Sequence, residues 1–220
     1  DLNVTNCRAL EGGYMNTVNN TYVRNSSFYL TDAVACNEFV NEYRFHNNLY
    51  MATNYAKKNG INLQAKAGEA GLMPYQYEYD KSLKQYSMTI DLEMIGRDEN
   101  FDSQEASNEE KATRVKMLLN AVENLSLVVK GNLDNAEPIF IVGGLVDRKT
   151  HYFQNVVSVK NNKLEVTEDL KDRVDNGCYV GLLEGENLAN EGEIKEKLSP
   201  LSIKKFFKKL EEEVDEYYGI

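Results

Sequence analysis

The sequence predicts an α+β fold in which helices cover one face of an antiparallel sheet. Three observations predict it. Residues 108–125 repeat apolar side chains at helical spacing, residues 138–144 (PIFIVGG) form an apolar run ending in two glycines, and residues 75–94 and 156–166 alternate as hairpins do. Strands and helices in this order, without a strict strand-helix-strand repeat, favour an α+β arrangement over a parallel sheet.

Residues 14–60 are rich in Asn, Tyr and small polar groups, and scatter rings at Tyr14, Tyr22, Phe28, Tyr29, Phe39, Tyr43, Phe45, Tyr50 and Tyr55. No single period holds there, although TDAVACNEFVNEY (31–43) predicts a short helix capped by Thr31 or Asp32. A connector, KAGEAGLMP, leads to Tyr75, Tyr77 and Tyr79, which alternate with polar residues. Beyond a turn at Asp80-Lys81-Ser82, Tyr86, Met88, Ile90, Leu92 and Met94 alternate again, so 75–94 reads as one hairpin. Ser107 and Glu110 have capping-box spacing ahead of Ala112, Val115, Leu118, Leu119, Val122 and Leu125. Pro138 opens IFIVGGL, a run suited to a strand covered on both faces, and VVSVKNNKLEV turns at Asn161-Asn162. Ser199 and Pro200 occupy cap and first-turn positions before an amphipathic helix bearing Ile203, Phe206, Phe207, Leu210, Val214 and Tyr217.

The chain has 220 residues, 42% of them hydrophobic, enough to bury roughly 70% of the unfolded surface. No run approaches the roughly 20 apolar residues of a membrane helix and no leader opens the chain, so a soluble, cytoplasmic protein is expected. Its start at Asp1, without Met, suggests a chain that has lost its beginning. Cys7, Cys36 and Cys178 lie far apart, with neither a CxxC nor a neighbouring His, and read as core thiols of a reduced compartment. Sequons at Asn3, Asn19, Asn25 and Asn124 would carry glycans only in a secreted protein, and are expected here to be chance in an Asn-rich chain. The net charge of -10 works against nucleic-acid binding, which must then rest on a local patch.

Gly143-Gly144 follows a strand as a phosphate loop would, yet no Gly-Lys-Ser/Thr and no helix follow. The glycines are better suited to bending the strand or admitting another backbone. Arg148, Lys149, His151, Tyr152 and Phe153 then mix cations with rings, a combination that suits single-stranded nucleic acid. His46 and His151, the two histidines, lie in no Gly-x-Ser-x-Gly context and close to no Cys. The pairs Asp91/Glu93 and Asp98/Glu99 are candidate metal or acid-base carboxylates, with solvation the commoner explanation. Lys204, Lys205, Lys208 and Lys209 precede an acidic run on the last helix and read as a solvated face.

Several segments taken together resemble one family. They are IDLEMIGRDE (90–99), KATRVKMLLNAVENL (111–125) and PIFIVGG (138–144), with GGYMNT (12–17), VRNSSFYLTDAVA (23–35) and CYVGLLEGENLANEGEI (178–194). Their order and spacing over roughly residues 12 to 195 resemble the DevR-type backbone subunit of type I CRISPR effector (Cascade) complexes, of the Cas seven superfamily of RAMP proteins. The family's opening strand and basic helix would precede the first of these segments.

The resemblance implies an RRM-like (ferredoxin-like) palm with an antiparallel sheet, helices on one face, and inserted thumb- or finger-like elements. Residues 14–75 would be the inserted Asn/Tyr-rich region, and 76–220 the palm with a hairpin and the C-terminal helix. It further implies a non-catalytic subunit for antiviral defence that binds crRNA without reading its sequence and meets target DNA indirectly. Copies of itself, stacked as a filament, and other CRISPR effector subunits would be partners, with no membrane, metal or cofactor. Arg24 stands where the family tends to place a basic residue before a Ser-containing turn. Arg8, Tyr22, Arg44, Arg148, Lys149, Lys160 and Lys163 are chemical candidates for RNA contact. The competing readings are a metal-dependent ribonuclease using Asp91, Glu93 or Asp32, a truncated adaptor or binding module without RNA affinity, and a secreted glycosylated binding module.

Overall fold

Two long helices form where the apolar spacing is most regular. The computed structural model describes residues 7–38, 42–101, 105–129 and 131–220. Ser107 caps the first long helix by accepting from the Glu110 amide at 3.3 Å, as the capping-box spacing predicts.

In chain order, a 3-10 turn (Arg8–Gly12) leads to β1 (Tyr14–Asn16), β2 (Tyr22–Arg24), β3 (Phe28–Leu30) and β4 (Val34–Ala35). Then come β5 (Glu42–His46), α1 (Leu49–Asn59), β6 (Tyr75–Tyr79), β7 (Lys84–Gln85) and β8 (Met88–Ile90). The long helix α2 (Asn108–Glu123) precedes β9 (Ser126–Val129), β10 (Asn132–Asn135), β11 (Phe140–Gly143), β12 (Val159–Lys160) and β13 (Lys163–Leu164). The chain closes with α3 (Glu168–Asp175), β14 (Tyr179–Leu182), α4 (Glu191–Leu198), β15 (Leu201–Ser202) and α5 (Ile203–Tyr218). The described residues are thus a mixed α+β protein with five helices and several small, mostly antiparallel sheets.

The chain divides into two compact units, one of Asp1–Cys36 and Gln85–Ile220, the other of Asn37–Lys84. In the first, Ala112, Val115 and Leu119 of α2 meet Ile203, Phe206, Phe207, Val214 and Tyr218 of α5, with Ile95 fully enclosed. Met88, Ile90, Ile141 and Tyr179 pack onto this cluster, so β8, β11 and β14 lie against the helix pair. Lys116 and Asp215 join the two helices at 2.5 Å. The largest sheet runs β11-β14-β15, with β11 antiparallel and β15 parallel to β14. In the second unit, β5 pairs antiparallel with β6, while Ala52 and Ala56 of α1 pack with Ala70.

The structure corrects several expectations. The 75–94 hairpin does not form, because β6 pairs with β5 and β8 pairs with β3. Alternation fixes which side of a strand is covered and leaves its partner open. The helix expected over 31–43 is replaced by β4 and β5 on either side of residues 39–41, which lie outside the described set; β-branched and aromatic residues in that stretch favour the extended form. Ser199 ends α4 in left-handed conformation (φ 45°) and Pro200 follows it, whereas Ser202 is the N-cap of α5. The inward face of α5 is otherwise as predicted, except that Tyr218 is buried and Tyr217 is exposed. β11 is half covered along its length rather than enclosed. Among the described residues, the sheet expected as one antiparallel layer is divided among pairs of short strands and the three-stranded β11-β14-β15, whose last strand runs parallel.

Two expectations hold in detail. Asn161 and Asn162, at φ 50° and 59°, form the two-residue turn between β12 and β13. Gly144 admits a neighbouring backbone: a Cβ there would lie 3.0 Å from Cys178 Cα and 3.1 Å from the Gly177 carbonyl. Of the three cysteines expected as core thiols, Cys178 is buried, Cys36 is partly buried and Cys7 is exposed. Among the sequons, Asn124 is the C-cap of α2, and Asn3 lies outside the described residues. No helix among the described residues is long and apolar enough to cross a membrane.

Tyr179 keys α5 to the sheet. Its hydroxyl donates to Glu213 Oε1 at 2.7 Å, and Lys209 Nζ lies 3.6 Å from its ring centroid. The hydrogen bond to Glu213, helped by burial, pushes its phenol up to about 12. The protonated phenol is favoured by folding, so its contribution is fully present below the unfolded value near about 10 and fades as pH rises toward about 12. In an ultraviolet titration, Glu213→Gln is expected to return this tyrosine's ionisation toward about pH 10.

Candidate nucleic-acid interface

Arg24, at the end of β2, is buried. Its Nε donates to the Arg97 carbonyl at 2.9 Å, and its Nη1 to the Leu10 and Asn25 carbonyls at 2.5 and 3.1 Å. Its Nη2 donates to Ser27 Oγ at 2.8 Å and the Met94 carbonyl at 2.7 Å, with Glu11 Oε2 at 3.4 Å. All five N–H donors are thereby engaged, and the residue is 6% exposed. Glu11 Oε2 also accepts from Ser27 Oγ at 2.5 Å, and its Oε1 accepts from the Gly96 amide and Arg114 Nη1, both at 2.9 Å. Gly96 turns the chain there at φ 67°, where a Cβ would strike that of Ala106 at 2.7 Å. Arg24 therefore ties the 3-10 turn, β2 and the 94–97 turn together, and offers no donor to a phosphate.

A second assembly surrounds the loop after β11. Lys149 Nζ pairs with Asp91 Oδ2 at 2.6 Å and lies 5.3 Å from the centroid of the Tyr29 ring. The hydrogen bond to Asp91 raises the Lys149 ammonium above its ordinary value. Thr89 Oγ1 bonds the Thr150 carbonyl at 3.0 Å and lies 2.9 Å from His151 Nδ1, so β8 fixes the loop from below. Two guanidiniums then lie within cation-π range of the Tyr152 ring, Arg148 at 5.7 Å and Arg173 of α3 at 4.8 Å from its centroid. Arg173 also donates to the Tyr152 carbonyl. Phe153 meets the Tyr152 ring edge-on at 5.1 Å. Among the described residues neither Arg148 nor Arg173 forms an ion pair with a carboxylate.

The remaining candidates are dispersed. Arg8 is exposed, and its Nε donates to Glu110 Oε1 at 3.2 Å. Tyr22 stacks on Phe101 at 5.3 Å. Arg44 is exposed on β5, opposite Tyr77. Lys160 and Lys163 face one another across the β12–β13 turn, where Lys160 pairs with Glu165 at 2.9 Å. The structure thus brings Arg148 and Lys149 onto one loop and Lys160 and Lys163 onto one hairpin.

Of the carboxylate candidates, Asp91 is engaged by Lys149, while Asp98 is buried and accepts from the Tyr14 hydroxyl at 2.7 Å. Asp32 is exposed. No group of three or more His, Cys, Asp or Glu side chains among the described residues is arranged to hold a metal ion. Arg173, Tyr29 and Thr89 were not singled out by the sequence. Arg173 lies in EDLKDRVD, an acidic helix whose two basic residues, Lys171 and Arg173, form no motif.

The profile of the CRISPR-associated negative auto-regulator DevR/Csa2 family matches residues 7–168, well over half of the chain. This is the family that the sequence segments resemble. No curated protein and no solved structure matches the chain.

The geometry makes Arg24 a stability residue. Arg24→Ala removes one partner of a buried charge network and is expected to cost about 3–5 kcal/mol. Urea unfolding followed by circular dichroism measures it, and a loss below about 1 kcal/mol would show the network to be dispensable.

Proposed function

Because the chain belongs to the CRISPR-associated DevR/Csa2 family, we propose that it is a crRNA-binding backbone subunit of a type I interference complex. It holds the guide through its phosphates, performs no chemistry on it, and associates with copies of itself and with other effector subunits. Target DNA is met through the guide's bases. In this reading β8, β11 and β14, backed by α2 and α5, make up an RRM-like palm.

The supporting observation is the Arg148–Tyr152–Arg173 cluster. In a chain of net charge -10, two guanidiniums share one ring, and among the described residues no carboxylate forms an ion pair with either. Like charges so placed repel, and a phosphodiester accepting from both relieves the repulsion while gaining charge-assisted hydrogen bonds. Phosphate contacts fix register and carry no sequence information, which leaves recognition to base pairing. Lys163, exposed at the β12–β13 turn, is a further cation suited to a phosphate, and Lys149, next to Arg148 on its loop, is positioned by Asp91.

The double variant Arg148→Ala/Arg173→Ala is expected to weaken binding to single-stranded RNAs of different sequence by the same factor. It should also reduce the log-log salt slope by about 1.4, two contacts at about 0.7 each. Fluorescence anisotropy over a salt series reads both, and an unchanged affinity and slope would sink the assignment. RNA incubated with magnesium or manganese is expected to stay intact; cutting that Asp91→Asn abolishes would favour a metal-dependent ribonuclease instead.

A further inference from the structure

The Asn37–Lys84 unit carries a feature that phosphate binding does not use. Its β5–β6 ribbon reads EYRFH against YQYEY, ten positions with six rings and no aliphatic side chain. Cross-strand register pairs Arg44 with Tyr77 and His46 with Tyr75 on one face, while Tyr43 and Phe45 point to the other. On the first face, His46 stacks on Tyr75 at 5.4 Å and 14°, and meets Tyr77 edge-on at 6.4 Å and 79°. Phe45 is 81% exposed and Tyr75 is 56% exposed.

We infer that this ribbon is a stacking platform for the bases of a single-stranded nucleic acid, an inference that rests on the RNA-binding reading above. A ribbon made of rings and polar residues offers flat π surfaces that any base can cover. Charge points the same way. The unit carries six Lys or Arg against five Asp or Glu, a net +1, which leaves -11 for the remainder of the chain. A phosphate backbone meets no net repulsion from this unit, and the Arg44 guanidinium lies on the face that bears the stacked pair.

The test compares the full-length chain with Tyr75→Ala/Tyr77→Ala and Tyr75→Phe/Tyr77→Phe. Each binds a single-stranded RNA and an abasic strand of equal length in fluorescence anisotropy. The alanine variant is expected to lose at least about tenfold in affinity for the base-bearing strand and nothing for the abasic one. The phenylalanine variant keeps wild-type affinity, and the salt slope is the same in all three. Equal losses on both strands, or no loss on either, overturn the platform. An alanine variant that changes oligomeric state at constant RNA affinity also overturns it, by assigning the ribbon to a second copy. A wild-type chain that binds neither strand overturns both this inference and the reading beneath it; one that binds both strands equally well overturns the platform alone.

Discussion

The first unit depends on one carboxylate. Glu11 is almost fully enclosed and serves two arginines, Arg24 from β2 and Arg114 from α2, while accepting from the Gly96 amide and the Ser27 hydroxyl. The partners come from three stretches of chain, residues 24–27, the Gly96 turn and α2, so one side chain fixes the positions of three. An enclosed charge is costly to desolvate, and here both Glu11 oxygens and all the Arg24 N–H groups find partners, which is the condition for such a network to hold. From it the order propagates outward. Ser27 also accepts from the Asp91 amide at 2.8 Å, and Asp91 holds Lys149, so the loop after β11 takes its place from a network on the far side of β3.

The same network clarifies how an acidic chain can approach RNA. Arg24, Arg114, Lys111 and Lys116 are spent on internal pairs, and their carboxylate partners are neutralised with them. Among the described residues, Arg148 and Arg173 at the ring of Tyr152 are cations without a carboxylate partner. Net charge describes the long-range field, whereas a strand within reach of Arg148 and Arg173 responds to the local one. Screening at physiological salt shortens the reach of the acidic surface to about 8 Å, which sharpens that distinction.

Periodicity made some of this legible. The spacing of Ala112, Val115 and Leu119 and that of Phe206 and Phe207 announced the two helices that enclose the core, and Asn161-Asn162 announced its turn. Pairing was not legible, because Tyr75, Tyr77 and Tyr79 alternate equally well beside any strand, and their partner lies some thirty residues upstream. Ser199-Pro200 carries signals both for ending one helix and for beginning another, and the short strand β15 that separates the two functions is too brief to show in a pattern. Arg24 was visible as a cation in a family motif, yet its burial follows from Glu11, thirteen residues away with no spacing rule between them. Arg173 had no signal at all, since its meaning comes from a ring on another element.

Ser202 is both the last residue of β15 and the N-cap of α5. Strand and helix therefore meet without a hinge, and β15 is clamped in parallel register to β14 through Gly181↔Leu201 and Leu182↔Ser202. The helix has no freedom to slide along its axis: a displacement of one residue would unpair the strand and turn Phe206 and Phe207 out of the core together. Mechanically, α5 and the β11-β14-β15 sheet form a single lever, and the loop bearing Arg148 leaves from the end of its outer arm. A shift of α5 would thus reach, through β15 and β14, the strand β11 from which that loop departs.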